Sequence, residues 1–233
     1  MANPRDRRVP KSQAGQPSAA LLAKLQKNYL EPNQAPRVLK VTSKALASKS
    51  WARSWNLALA RHEIYQGRLS AGRKILRQNG IYEFHVLQDS ISGLILADEI
   101  YECSIHFAVI SEEAMGQLKD TIWGKVATIS QLLQGDFPDD LLQAIMDIPG
   151  FLPAPGDFSS RCNCLDDADL CAHAASLLYG FSSHLEQNPS DLFQIRGIAI
   201  SDLLAVVPDS DLDGSQAKLD KSDFASLFDI QVI

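Results

Sequence analysis

No run of this sequence approaches the roughly 20 consecutive apolar residues that a bilayer-spanning helix requires, so nothing in it reads as membrane-embedded. Cysteine is scarce, with four among 233 residues, too few for the disulfide framework that holds small secreted domains together. The opening residues carry positive charge with no apolar stretch behind them, which is not the pattern of a secretory signal, and a cytoplasmic protein is expected. There is no Gly-x-x-x-x-Gly-Lys-Ser/Thr motif, hence no phosphate cradle of that type and no expected ATPase activity. No Ser/His/Asp order, carboxylate pair or glycine-rich dinucleotide turn stands out, and the expectation is a chain that is not an enzyme.

What is present is an ordinary globular balance, 45% apolar and 21% charged, at a length suited to one fold with appendages or two small units. The net charge of -6 hides a division: residues 1–78 hold 16 Lys and Arg against 3 Asp and Glu, and residues 79–233 hold 6 against 25. A basic front portion and an acidic remainder suggest different partners for the two.

Local patterns divide the chain into four stretches. Residues 1–41 read as a basic, largely disordered leader with one short helix from Ser18 to Leu30, whose leucines give it an apolar side. Residues 42–150 read as helix, sheet and helix. Trp51, Trp55 and Leu59 recur at four-residue spacing within an expected helix from Thr42 to Tyr65. IYEFHVLQ and LILADEIYECSIHFAVI alternate partly, giving two or three antiparallel strands with turn residues at Asp89-Ser90 and Ser92-Gly93. Ser111 followed by two glutamates reads as a capped helix start, with Leu118, Ile122, Val126, Ile129 and Leu133 as its stripe, and Pro138 opens another short helix through Met146. Residues 151–200 begin with a proline- and glycine-rich boundary and carry a cysteine cluster and an apolar helix from Ala172 to Leu185. Residues 201–233 form an acidic tail that closes on DFASLFDIQVI. The expected class is α+β: a short antiparallel sheet with flanking helices, plus a small ββα-like zinc finger.

The chemistry concentrates in RCNCLDDADLCAHAASLLYGF, which contains Cys162-x-Cys164, six residues, then Cys171-x-His173. Neighbours one residue apart are poorly placed to bridge each other. Three thiolates and an imidazole are instead the ligand set of a closed, four-coordinate structural zinc site, with no position open for water. Asp169 is placed to cap the following helix, so that Cys171 and His173 lie at its start, where the dipole favours thiolate. The plain alternative is that reduced cysteines pack as small apolar residues, and that is the expectation for Cys103, which sits in the strand pattern.

At these residues the chain resembles the SWIM zinc fingers, whose signature is Cys-x-Cys, a variable spacer, then Cys-x-His. The likeness extends over residues 42–197. It includes the Trp-rich SWARSWNLAL, the arginine and glycine stretch GRLSAGRKILRQNGIYEFHV, the turn FLPAPGDFSS before the cluster and LLYGFSSHLEQNPSDLFQIRG after it. The resemblance implies a finger holding one zinc ion through Cys162, Cys164, Cys171 and His173. It further implies a protein partner, Swi/Snf-type DNA-translocating ATPases being the associates such proteins often have. This chain departs from the family in Leu165-Asp166 after the second cysteine, where Pro-Asp is common, and in Ala172 before the histidine, where Lys is common. With Asp166, Asp167 and Asp169 in the spacer, the finger's surface is acidic and would repel phosphate.

The expected function is therefore a non-enzymatic adaptor, the apolar end of the acidic tail being suited to docking in a groove. The alternative is nucleic-acid binding by the basic front portion, with Arg53, Arg61, Arg68, Arg73, Lys74 and Arg77 as the candidate residues. A Trp51/Trp55 platform for bases is weighed against burial, and burial is preferred. The calcium-loop imitation at Asp209, Asp211, Asp213 and Asp220 is read as a solvated acidic turn, because Pro208 interrupts its entering helix and Asp220 stands where Glu is expected.

Overall fold

The computed structural model describes residues 17–41, 46–61, 65–123, 138–154, 156–199 and 203. Three helices come first: α1 (Ala19–Tyr29), α2 (Ser50–Ala60) and α3 (Gln66–Arg77). An antiparallel meander of β1 (Ile81–Leu87), β2 (Ser90–Leu96) and β3 (Ile100–Phe107) follows, then α4 (Glu112–Ile122) and α5 (Asp139–Met146). The chain closes with β4 (Phe158–Cys162), α6 (Ala172–Leu185) and a short α7 (Asp191–Gln194). The α+β class is as the sequence implied. The acidic tail apart from Leu203, with its calcium-loop imitation, residues 1–16 of the leader and the stripe beyond Ile122 lie outside the described residues.

The sheet has four strands in the order β1-β2-β3-β4. The strand of the cysteine cluster is thus the outer neighbour of the meander, registered with Cys103 opposite Cys162 and Phe107 opposite Phe158. Ser92-Gly93 lies inside β2 and is not a turn: a Cβ at Gly93 would come 3.2 Å from Leu177 on α6, so the glycine lets the helix approach the sheet. Asp89, with φ 56°, makes the turn before β2. A bulge between Tyr82 and His85 carries Glu83 at φ 46°, and its buried carboxylate accepts from the backbone N–H of Arg37 at 2.8 Å.

Helix α6 is apolar on almost every side, which is the signature of a helix surrounded by protein. Every residue from Ala174 to Ser182 is buried. It lies between the inner sheet face, where Ile91, Ile95, Ile105 and Phe107 point, and helices α2 and α3. Both tryptophans of α2 are core residues, each tied to α6 by an indole N–H: Trp51 to the Leu185 carbonyl at 3.0 Å, Trp55 to that of Leu178 at 2.9 Å. No base could stack on them. On the outer sheet face α1 covers one end, packing Leu25 against Tyr82, Leu96 and Ile100.

Two helices differ from the sequence expectation. Helix α2 begins at Ser50, not near Thr42, because Lys49 is extended and its N–H bonds Glu186 at the far end of α6. Helix α3 occupies the arginine and glycine stretch, where its buried face is Leu69, Gly72, Ile75 and Leu76. A Cβ at Gly72 would fall 2.6 Å from the Ser176 backbone nitrogen, so this glycine permits a near-contact crossing of α3 and α6.

Candidate metal centre

The centre is assembled where β4, the loop after it and the start of α6 meet. Strand pairing holds Cys162 beside β3. The turn that follows is pinned by Asn163, whose Oδ1 accepts from Glu102 N–H at 3.1 Å while its own N–H donates to the Glu102 carbonyl. The loop through residue 170 carries Cys164 and is tied down at two further points. Ser160 Oγ donates to the Asp169 carbonyl at 2.6 Å, and Asp166 accepts two bonds from the Arg68 guanidinium of α3, both at 3.0 Å.

At the start of α6 the capping residue is Cys171, and Asp169 does not cap. The Cys171 sulfur accepts from Ala174 N–H at 3.4 Å, which places a thiolate where a helix offers unpaired N–H groups and the positive end of its dipole. Two residues on, the His173 ring is stacked on Tyr101 with centroids 3.8 Å apart, and its Nδ1 lies 3.8 Å from the Cys162 sulfur. The donor atoms of Cys162, Cys164, Cys171 and His173 all lie within 4.8 Å of one another, so this Cys₃His group can hold a metal ion. Ligands about 2.0–2.3 Å from a tetrahedral ion stand under 4 Å apart, a small contraction from this arrangement. Among the described residues the group that can hold an ion contains no carboxylate, and Asp166 is bound by Arg68.

One neighbour was not expected. Cys103, 4% exposed, is a core residue as the strand pattern implied, yet its sulfur stands 2.9 Å from that of Cys162. Contact with Cys103 and Cys162 holds the Cys171 thiol far below the ordinary cysteine value. Contacts with Cys162 and Cys171, and then burial, push the Cys103 thiol far above that value. The signal in the sequence was FSSRC itself: read as a strand, it points Phe158, Ser160 and Cys162 to one face, toward the alternating residues of β3.

The basic candidates are placed differently from one another. Arg68 is bound to Asp166, and Arg73 donates to the Tyr179 hydroxyl at 2.9 Å with its guanidinium over that ring. Arg53 lies on the exposed side of α2 and Arg61 just past its end, and Lys74 and Arg77 are exposed on the last turn of α3.

Comparison with known proteins gave no match: no family model, no curated protein and no solved structure matches this chain. The geometry of the cluster is what bears on function. No helix among the described residues is long and apolar enough to cross a membrane.

Proposed function

We propose that the chain binds one zinc ion through Cys162, Cys164, Cys171 and His173 and acts as a non-enzymatic interaction module of the SWIM kind. The observation that carries this reading is the convergence of those four donors at the junction of β4 and α6. Soft thiolates with one imidazole suit Zn²⁺, and four protein ligands leave the ion no vacant position for hydrolytic chemistry. Its work is structural: to fix the loop of residues 163–170 against α6.

That loop has the character of a docking tip. Leu165 is fully exposed, and Asp167 and Asp169 are exposed beside it. An apolar tip with an acidic rim suits a protein partner offering an apolar pocket and basic surroundings, and it disfavours phosphate. A Swi/Snf-type ATPase is the partner class the sequence resemblance supports. The test is metal analysis of the purified chain, with one zinc per chain expected, followed by capture of partners from cells with and without nuclease. Nuclease-resistant partners that are lost on Leu165→Asp support the adaptor. Loss of all partners on nuclease treatment supports the second reading, nucleic-acid binding through Arg53, Arg61, Lys74 and Arg77, which their exposure favours.

A further inference from the structure

Four sulfurs meet at this site, and a four-coordinate ion with His173 uses three. We propose that Cys103 is the resolving thiol of a redox-sensitive centre: a hydroperoxide oxidises Cys162, Cys103 closes a disulfide with it, and the metal is released.

The two cysteines are built as a cross-strand pair. Asn163 N–H donates to the Glu102 carbonyl, and Ala108 N–H to that of Asp157. These bonds fix the even-numbered positions of β3 as its hydrogen-bonding ones toward β4, so Cys103 and Cys162 form a non-hydrogen-bonded pair. At such pairs the Cα atoms are about 4.5 Å apart and the side chains closest, inside the range a disulfide accepts. The 2.9 Å between their sulfurs needs no strand to move. Sulfurs sharing a tetrahedral zinc, by contrast, are held about 3.7 Å apart by the ion.

Exposure sets the order of events. Cys162 is half-buried, whereas Cys103 is a core residue of β3, 4% exposed. A small oxidant therefore meets Cys162 first. The Cys162 thiolate attacks the peroxide, the O–O bond breaks, and the leaving oxygen departs as water or alcohol after taking a proton from solvent. The resulting sulfenic acid is attacked by the Cys103 sulfur. An S–S bond forms, the Cys103 proton and the sulfenic hydroxyl leave together as water, and the peroxide has taken up the two electrons. Cys162 is then no longer a thiolate, and three donors remain where four held the ion. A thiol of the reducing cytoplasmic kind reverses the step by disulfide exchange.

The inference builds on the four-ligand reading, and its test can fail independently. The full-length reduced chain, both zinc-loaded and chelator-stripped, is treated with a few equivalents of hydrogen peroxide. Free thiols are then alkylated, and disulfides are mapped by digestion and fragmentation while a chromogenic chelator reads released zinc. The expected result is a Cys103–Cys162 crosslink in both forms, about one zinc released per crosslink, and full recovery of zinc binding after dithiothreitol. Cys103→Ala should bind zinc when reduced, form no such crosslink, and accumulate the irreversible sulfinic acid at Cys162. A disulfide confined to Cys162, Cys164 and Cys171, with Cys103 alkylated, would overturn the proposal. So would loss of zinc from reduced, folded Cys103→Ala, because Cys103 would then be a ligand. A chain that binds no metal yet forms the crosslink when stripped would sink the zinc reading and leave the disulfide pair standing.

Discussion

At the scale of single residues, the four candidate ligands differ in what surrounds them, and so do the expected effects of changing them. Cys164 stands on a loop held by a few side-chain bonds, whereas Cys171 begins a helix that the core already encloses. Cys164→Ser should abolish stoichiometric zinc binding. Amide exchange should rise over residues 163–171, while α6 beyond Ala175 keeps its protection, because Leu177, Leu178 and Phe181 are fully buried whatever the metal does. Increased exchange throughout α6 would show that zinc supports the core and not merely the loop. Tyr101 is a positioning residue: its ring fixes the plane of His173, and its hydroxyl is occupied with Asp98 at 2.8 Å. Removing such a support typically weakens metal affinity by about 10- to 100-fold. Tyr101→Ala should therefore lower zinc affinity by roughly tenfold in a competition titration, and Tyr101→Phe, which keeps the ring, should restore it.

At the scale of elements, two devices dock helices onto α6. The first is Glu186, which follows that helix and caps α2 from a distance. Its carboxylate accepts from the backbone N–H and the hydroxyl of Ser48 and from Lys49 N–H. Burial alone would raise its pKa, but these three bonds and the charge of Lys49 outweigh burial and hold it below the ordinary glutamate value. A depressed acid adds stability that is complete above its unfolded pKa of about 4.3 and is lost as pH falls through the folded value. The carboxylate is partly open to solvent, which limits its worth to about 1 kcal/mol. Glu186→Gln should cost about that much at neutral pH in denaturant unfolding, and the difference from wild type should shrink below pH 4. An undiminished difference in acid would mean the charge is not what caps the helix. The second device is Gly72. Alanine there favours helix by up to about 1 kcal/mol, but its Cβ would meet the backbone of Ala175 and Ser176. Overpacking of that kind costs roughly 1–3 kcal/mol. Net destabilisation is expected, with Arg68 drawn away from Asp166, and an unchanged or raised Tm for Gly72→Ala would refute the close crossing. These elements also show how far the sequence could be read. Spacing alone picked out the four side chains that converge as a group able to hold a metal ion, the capped start of α4 and the whole of α6, since each signal is local in the chain. Helix α3 was missed because Gly67 and Gly72 look like breaks until α6 is there to fill the groove. Asp169 was taken for a cap because a cysteine thiolate is not among the usual capping side chains. The pairing of Cys103 with Cys162 depends on register between strands almost sixty residues apart, which no local pattern encodes.

At the scale of the whole molecule, the charge division of the sequence is partly cancelled by folding. The basic half and the acidic half meet in the bidentate pair of Arg68 and Asp166, which ties α3 to the loop carrying Cys164, and Arg73 is turned onto Tyr179. Arg53 on α2, Arg61 just past its end, and Lys74 and Arg77 on the last turn of α3 are exposed to solvent. Each phosphate contact contributes about 0.9 to the slope of log affinity against log salt. If the chain binds a DNA duplex in a gel-shift titration, replacing Lys74 and Arg77 with alanine should reduce that slope by about 2, and Asp167→Asn should not weaken binding. An unchanged slope would place the contact elsewhere. The same unity of the fold decides what metal removal does. Small isolated fingers unfold without zinc, but here β4 is part of the four-stranded sheet, and α6 is the centre of a core drawn from α2 to α7. The chelated protein should therefore remain folded and unfold in one cooperative step, with far-ultraviolet circular dichroism close to that of the loaded form. Ligand linkage sets the size of the shift: free zinc at 100 times its Kd adds about 2.7 kcal/mol. For a chain of this size that is roughly 5–10 °C in Tm. Calorimetry of loaded and stripped protein measures it. Collapse of the stripped chain to an unfolded state at room temperature would show that the metal, and not the apolar packing around α6, holds the sheet and helices together.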